Sequence, residues 1–123
     1  MKAILIKQKF IDYCGIVMAE MPQLEVVEIE PKLDTYYKML DCDTVEMPSR
    51  KIGGKYFIFI CDEEALCGKV FTVTVRSKSD DELNLVNSVI ICNTDDEGNE
   101  VSLSDEDIAL IKSRFDGTTL NLD

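Results

Sequence analysis

Between Ile90 and Ile111 the chain sets acidic and hydroxyl side chains at intervals close to those of a calcium-binding loop. That loop needs oxygen ligands at positions 1, 3 and 5, glycine at 6, an apolar residue at 8 and a bidentate glutamate at 12. Counted from Asn93, the chain supplies Asp95, Glu97 and Gly98, then puts Glu100 where the apolar residue belongs and Ser104 where the closing carboxylate belongs. No helical pattern precedes the loop either. The segment therefore reads as an apolar strand, an acidic turn with Gly98 and a short strand Glu100 to Leu103, a β-hairpin feeding a capped helix.

General acid and base chemistry has few carriers. Histidine is absent, which removes the commonest proton shuttle, the Ser-His and Cys-His nucleophile pairs and the commonest zinc ligand. Carboxylates are available at Asp41, Asp43 and Glu46 and at Asp62, Glu63 and Glu64, but the first group fits a helix-to-strand turn and the second a solvated loop after a strand. The sequence offers no catalytic, metal-binding or cofactor-binding set, and the expectation is a protein that is not an enzyme and carries no cofactor.

Two surface clusters remain. Arg50, Lys51 and Lys55 bracket Gly53-Gly54, and backbone amides in a glycine turn can cradle an anion. The plainer reading of those cations is a hairpin whose charges guard a sheet edge. The second cluster is acidic: Asp80 to Glu82, Asp95, Asp96 and Glu97, Glu100, and Asp105, Glu106 and Asp107. Carboxylates on alternate strand residues sit about 7 Å apart, a spacing that approximates neighbouring phosphates, so a nucleic-acid mimic is one reading. A solubilising surface, with the helix acids explained by capping, is the plainer one.

The net charge of -11 is uneven. Residues 1–78 carry twelve acids against eleven bases, whereas residues 79–123 carry twelve acids against Lys112 and Arg114 alone. Direct nucleic-acid binding through that acidic third is disfavoured, since such affinity comes from Lys and Arg displacing counterions. Basic protein partners would be attracted.

A chain of 123 residues with 46% apolar composition suits one hydrophobic core. A single domain over 1–117 is expected, with 118–123 as a loose tail. The apolar runs are too short for a membrane helix, and the start Met-Lys is followed by too few apolar residues for a signal peptide, so a cytoplasmic setting is expected. Five cysteines, Cys14, Cys42, Cys61, Cys67 and Cys92, form no Cys-x-x-Cys pair and read as free thiols. Cys61 and Cys92 fall inside apolar strands, and Cys67 beside Gly68 and Lys69 is the one expected to be exposed.

Periodicity supplies the elements. Lys2 to Lys7, Leu24 to Glu30, Thr44 to Met47, Lys55 to Cys61, Phe71 to Val75 and Leu85 to Cys92 read as strands, the last as a central one, with a polar loop from Ser77 to Glu82. Gly53-Gly54 marks a hairpin. Pro31 opens a helix of about ten residues whose stripe is Leu33, Tyr36, Tyr37 and Leu40. Ser104 caps a second helix that turns Ile108, Ile111 and Phe115 to the sheet and stops at Gly117. Phe10 to Pro22 is compatible with strands or a short helix. The sum is an α+β fold, a mostly antiparallel sheet of about five to seven strands with two α-helices packed on one face.

Leu40-Asp41-Cys42-Asp43-Thr44, Arg50-Lys51-Ile52-Gly53-Gly54-Lys55, Cys61-Asp62-Glu63-Glu64 and the Ile90 to Ile111 segment, in that order, resemble the family called domain of unknown function 3846 (DUF3846). The resemblance runs from Met1 to Phe115. It implies a compact α+β domain, a cytosolic setting, an origin in bacteria, plasmids or phages, and no established activity. The chain departs from the family pattern at Ala65, where glycine is usual, and by extra residues within 10–22, a protein-specific insertion. The functional expectation is a small accessory or regulatory module that binds a protein, with the nucleic-acid mimic as the alternative and a small-ligand domain or enzyme third.

Overall fold

Three stretches of four consecutive apolar residues, Ala3–Ile6, Phe57–Ile60 and Val89–Cys92, decide the architecture. Successive strand residues point to opposite faces, so a continuous apolar run leaves both faces of its strand needing cover. The computed structural model describes the backbone of residues 1–7, 10–19, 23–63, 71–77, 83–85 and 88–122, and the side chains of 1–7, 14–15, 24–63 and 88–113.

The strands are β1 (Lys2–Lys7), β2 (Phe10–Tyr13), β3 (Ile16–Ala19), β4 (Gln23–Glu28), β5 (Val45–Glu46), β6 (Ser49–Ile52), β7 (Lys55–Asp62), β8 (Phe71–Ser77), β9 (Leu83–Leu85), β10 (Val89–Thr94), β11 (Glu100–Val101) and β12 (Phe115–Leu122). The helices are α1 (Leu33–Leu40) and α2 (Asp105–Arg114). The main sheet has seven strands in the order β4-β1-β10-β7-β5, with β6 also on β7 and β11 on β10. Every pairing in it is antiparallel. The fold class is therefore α+β, with a seven-stranded antiparallel sheet and two helices.

One face carries Ile4, Ile6, Phe57, Phe59, Val89 and Ile91, covered by Ile108 and Ile111 of α2. The other carries Ala3, Leu5, Ile58, Ile60, Ile90 and Cys92, covered by Tyr36 and Leu40 of α1. The helices thus lie on opposite faces, which corrects the expectation of a one-sided packing. The physical reason is the two-faced burial of β1, β7 and β10: each large side chain buried on either face contributes about 1.5–3 kcal/mol, and neither face is left wet.

Other boundaries differ from the sequence reading. Helix α1 starts at Leu33 because Lys32, its N-cap, has extended backbone (ψ 145°), so Pro31 lies outside it. It ends where Asp41 turns left-handed at φ 51°. Leu33 is 51% exposed, and the buried stripe is Tyr36 and Leu40. The apolar run from Leu85 is divided: β9 pairs with β8, and only β10 lies in the main sheet. Helix α2 ends at Arg114, short of Gly117, and Phe115 opens β12 instead of facing the sheet from the helix; residues 118–122, read from the sequence as part of a loose tail, pair with β8. The segment 10–22 contains a two-strand hairpin, β2 with β3, turning on Cys14 (φ 53°) and Gly15 (φ 82°). The Asp80 to Glu82 cluster, Glu64, Ala65 and Cys67 fall outside the described residues.

Candidate interaction site

The segment that fails as a calcium loop builds one end of the main sheet. Asn93 and Thr94 of β10 pair with Val101 and Glu100 of β11. Between them Asp95 organises the turn: Oδ1 accepts from the amides of Glu97 and Asn99 at 2.9 Å each, and Oδ2 accepts from Asn99 Nδ2 at 3.2 Å. These hydrogen bonds, led by those from Asn99, hold the Asp95 carboxyl below the ordinary range. Gly98 (φ 85°) completes the reversal. Asp96 and Glu97 are exposed at the tip.

After β11 the chain crosses β1, where the Leu103 amide donates to the Lys2 carbonyl and the Lys2 amide donates to Ser102 Oγ. It then enters α2 through a reciprocal cap. The Asp107 amide donates to Ser104 Oγ at 3.0 Å, and the Ser104 amide donates to Asp107 Oδ2 at 3.1 Å. Asp107 also receives Asn93 Nδ2 on Oδ2 at 3.1 Å and Lys55 Nζ on Oδ1 at 2.7 Å. Burial pushes its carboxyl up, but the hydrogen bonds from Lys55 and Ser104 and the Lys55 charge together outweigh that and leave it below the ordinary range.

The opposite face has its own buried polar contact. Tyr36, fully buried, donates from its hydroxyl to Glu100 Oε1 at 3.2 Å. Burial first, then the Glu100 charge, pushes the Tyr36 hydroxyl well above its usual range. Cys92, also fully buried, is pushed up to about 12 by burial and Glu100, and Cys61 to about 11 by burial and Glu46. These thiols stay protonated at neutral pH and serve as small apolar side chains.

The structure gives the seven acids of the sequence cluster different duties. Asp95, though exposed, is engaged within its own turn, Glu100 by Tyr36 and Asp107 by the helix cap. Asp105 lies 3.4 Å from Lys2 Nζ, while Asp96, Glu97 and Glu106 are exposed. The five residues of the glycine turn are likewise divided. Lys55 is held by Asp107, and Gly53 packs so closely on α2 that a Cβ there would lie 2.5 Å from Leu110 Cδ1. Arg50 Nη1 donates to the Ser49 carbonyl, Lys51 lies over the Tyr56 ring at 6.0 Å, and Gly54 faces open space. Strand alternation sends Arg50 and Lys51 to opposite faces.

The two sequence clusters are therefore joined through Lys55 and Asp107. The sequence does carry a signal for this: Ser104 and Asp107 stand at capping-box spacing. Asn93 and Tyr36, which complete the polar contacts, have no local signature.

What this end can do chemically is electrostatic. Lys2 and Lys55 are each drawn onto a carboxylate, Asp105 and Asp107, while Asp96 and Glu97 at the hairpin tip and Glu106 in the first turn of α2 remain exposed negative charge. No helix among the described residues is long and apolar enough to cross a membrane. Compared with known families, the chain matches "Domain of unknown function (DUF3846)" over residues 14–116. Comparison with curated proteins and with solved structures gave no match.

Proposed function

The chain belongs to the DUF3846 family, whose description names no activity, and from that premise and the geometry of the acidic end we propose that it is a small cytosolic accessory or regulatory module of mobile-element origin that binds a protein. It acts stoichiometrically, without catalysis, and its partner presents a basic surface.

The observation that carries this reading is the exposed charge of Asp96, Glu97 and Glu106, while Lys2 and Lys55 are paired to other carboxylates. Asp96 and Glu97 ride on a turn rigidified by Asp95, and Glu106 sits in the first turn of a helix fixed by its cap. Rigid, exposed carboxylates give steering and selectivity toward cations without an ordering cost at binding. A nucleic-acid mimic needs a longer regular array, and the engagement of Asp95 in its turn, Glu100 with Tyr36 and Asp107 in the helix cap favours the broader reading.

The test is capture of partners from a bacterial lysate with tagged protein at low salt, beside a variant carrying Asp96→Asn, Glu97→Gln and Glu106→Gln. A partner with a basic surface, retained by the parent, released by salt and lost with the variant, supports the proposal. Equal retention by the variant rejects the acidic end as the contact.

A further inference from the structure

Among the described residues the main sheet ends in two open edges of unlike charge, formed by β4 and by β5 with β6. The Ile29 amide donates to the Met1 carbonyl, and β4 keeps one register against β1 throughout. Antiparallel ladders alternate bonded and non-bonded pairs, so the N–H and C=O groups of Leu24, Val26 and Glu28 point away from β1. At the other edge the Phe59 amide donates to the Pro48 carbonyl and the Glu63 amide to the Thr44 carbonyl. The registers of β5 and β6 on β7 continue each other across Pro48. By the same alternation Ser49 and Lys51 direct their N–H and C=O groups outward. These groups meet no further strand among the described residues.

The side chains differ in sign. Glu25 and Glu28 are exposed on β4, the latter 3.5 Å from the amino terminus, and Glu30, just beyond, pairs with Lys32. Arg50 and Lys51 are exposed on β6, with Glu46 the one acid of that edge. Two of the three large exposed apolar side chains among the described residues also lie here: Val26, 43% exposed, on β4, and Tyr56, 61% exposed, opposite Lys51. Charged edge residues ordinarily deter pairing. They do so between like edges, β4 with β4 or β6 with β6, and not between β4 and β6.

We propose that β4 of one copy adds to the β6 edge of a second copy, extending the sheet head to tail. An antiparallel addition turns the α2 face of the incoming copy onto the α1 face of the first. That places Val26 on the same face as Tyr56. With Val26 opposite Lys51, Glu28 lies diagonal to Lys51 and Glu25 diagonal to Arg50, within the reach of long side chains. The outward groups of Val26 and Glu28 then meet those of Lys51 and Ser49. The contact is heterologous, so it does not close into a dimer, and mass grows with concentration. The net charge of -11 opposes it at long range and is screened beyond about 8 Å at physiological salt, whereas the strand contact is shorter than that.

The experiment is sedimentation equilibrium across concentration in about 0.15 M salt, with folding of each variant confirmed by its thermal transition. The parent chain is expected to show a weight-average mass that rises without a plateau at the dimer. Glu25→Lys with Glu28→Lys makes both edges basic, and Arg50→Glu with Lys51→Glu makes both acidic; each variant alone stays monomeric, and an equimolar mixture associates again. Lys51→Pro removes an outward donor while sparing the hairpin's own ladder, and it abolishes association. A parent monomeric at every concentration, a charge variant that associates alone, or a mixture that stays monomeric overturns the proposal.

Discussion

Lys55 Nζ lies 2.7 Å from Asp107 Oδ1, joining the first residue of β7 to the first turn of α2. The two side chains differ in exposure, 46% for Lys55 and 7% for Asp107. The carboxylate also accepts from Asn93 and the Ser104 amide, so it ties β10, the helix cap and the β6–β7 hairpin to one point.

That asymmetry ranks two substitutions. Asp107→Asn keeps the shape but removes the charge and sets an amide donor against donors, a loss of about 1–3 kcal/mol. Lys55→Met removes a partner that is nearly half solvated and whose ion pair is correspondingly screened, with an expected loss under about 1 kcal/mol. Urea unfolding midpoints measure both. A Lys55→Met loss equal to that of Asp107→Asn would show that the ion pair, and not the cap, carries the stability.

The same carboxyl gives a pH dependence. Because its folded-state value is depressed, its contribution is fully present above the unfolded value of about 4 and is lost as pH falls through the lower folded value. The melting temperature of the parent minus that of Asp107→Asn should be flat from pH 7 to about 5 and shrink below about 4. A difference that already shrinks between pH 7 and 5 is inconsistent with a depressed carboxyl.

Local patterns explain how much was legible in the sequence. The Gly53-Gly54 hairpin, the Asp95 turn and the Ser104 cap all rest on residues adjacent in the chain, and the structure shows each where the sequence places it. The central position of Val89–Cys92 follows from its continuous apolar character. The arrangement of the helices on two faces is encoded in such runs as well, because β1 and β7 share the continuous apolar pattern of β10. The division of the Leu85 to Cys92 run between two sheets has no local mark, because β propensity does not say which partner a strand will find.

Long-range pairings limited the site in the same way. Tyr36 and Glu100 are 64 positions apart, and Lys55 and Asp107 are 52. Composition assigns all these acids to one surface. Only the fold shows that Glu100 and Asp107 are drawn to Tyr36 and to the helix cap while Asp96, Glu97 and Glu106 stay exposed.

The buried thiol of Cys92 makes the protein sensitive to alkali. Its folded value of about 12 exceeds the ordinary 9.0, so the neutral form is favoured by the fold, stability is complete below about pH 9, and it declines as pH rises toward 12. Replacing Cys92 by alanine should flatten part of that decline. A thiol reagent at neutral pH should modify exposed Cys14 quickly and leave Cys92 unmodified until unfolding. Rapid native labelling of Cys92 would contradict its burial.

Gly53 and Gly54 separate backbone strain from steric contact. Both have positive φ, 60° and 84°, so a side chain at either costs on the order of 1 kcal/mol. Only at Gly53 would the new Cβ also meet Leu110, 2.5 Å from Cδ1, whereas at Gly54 it meets nothing within 4 Å. Crowding of that kind adds about 1–3 kcal/mol, so Gly53→Ala should destabilise more than Gly54→Ala. Leu110→Ala opens the space, and in its background the two alanine substitutions should cost nearly the same. A double-mutant cycle on unfolding free energies reads the coupling between positions 53 and 110. Zero coupling would mean that the hairpin does not rest on α2 in solution, and the docking of β6 and β7 on that helix would have to be redrawn.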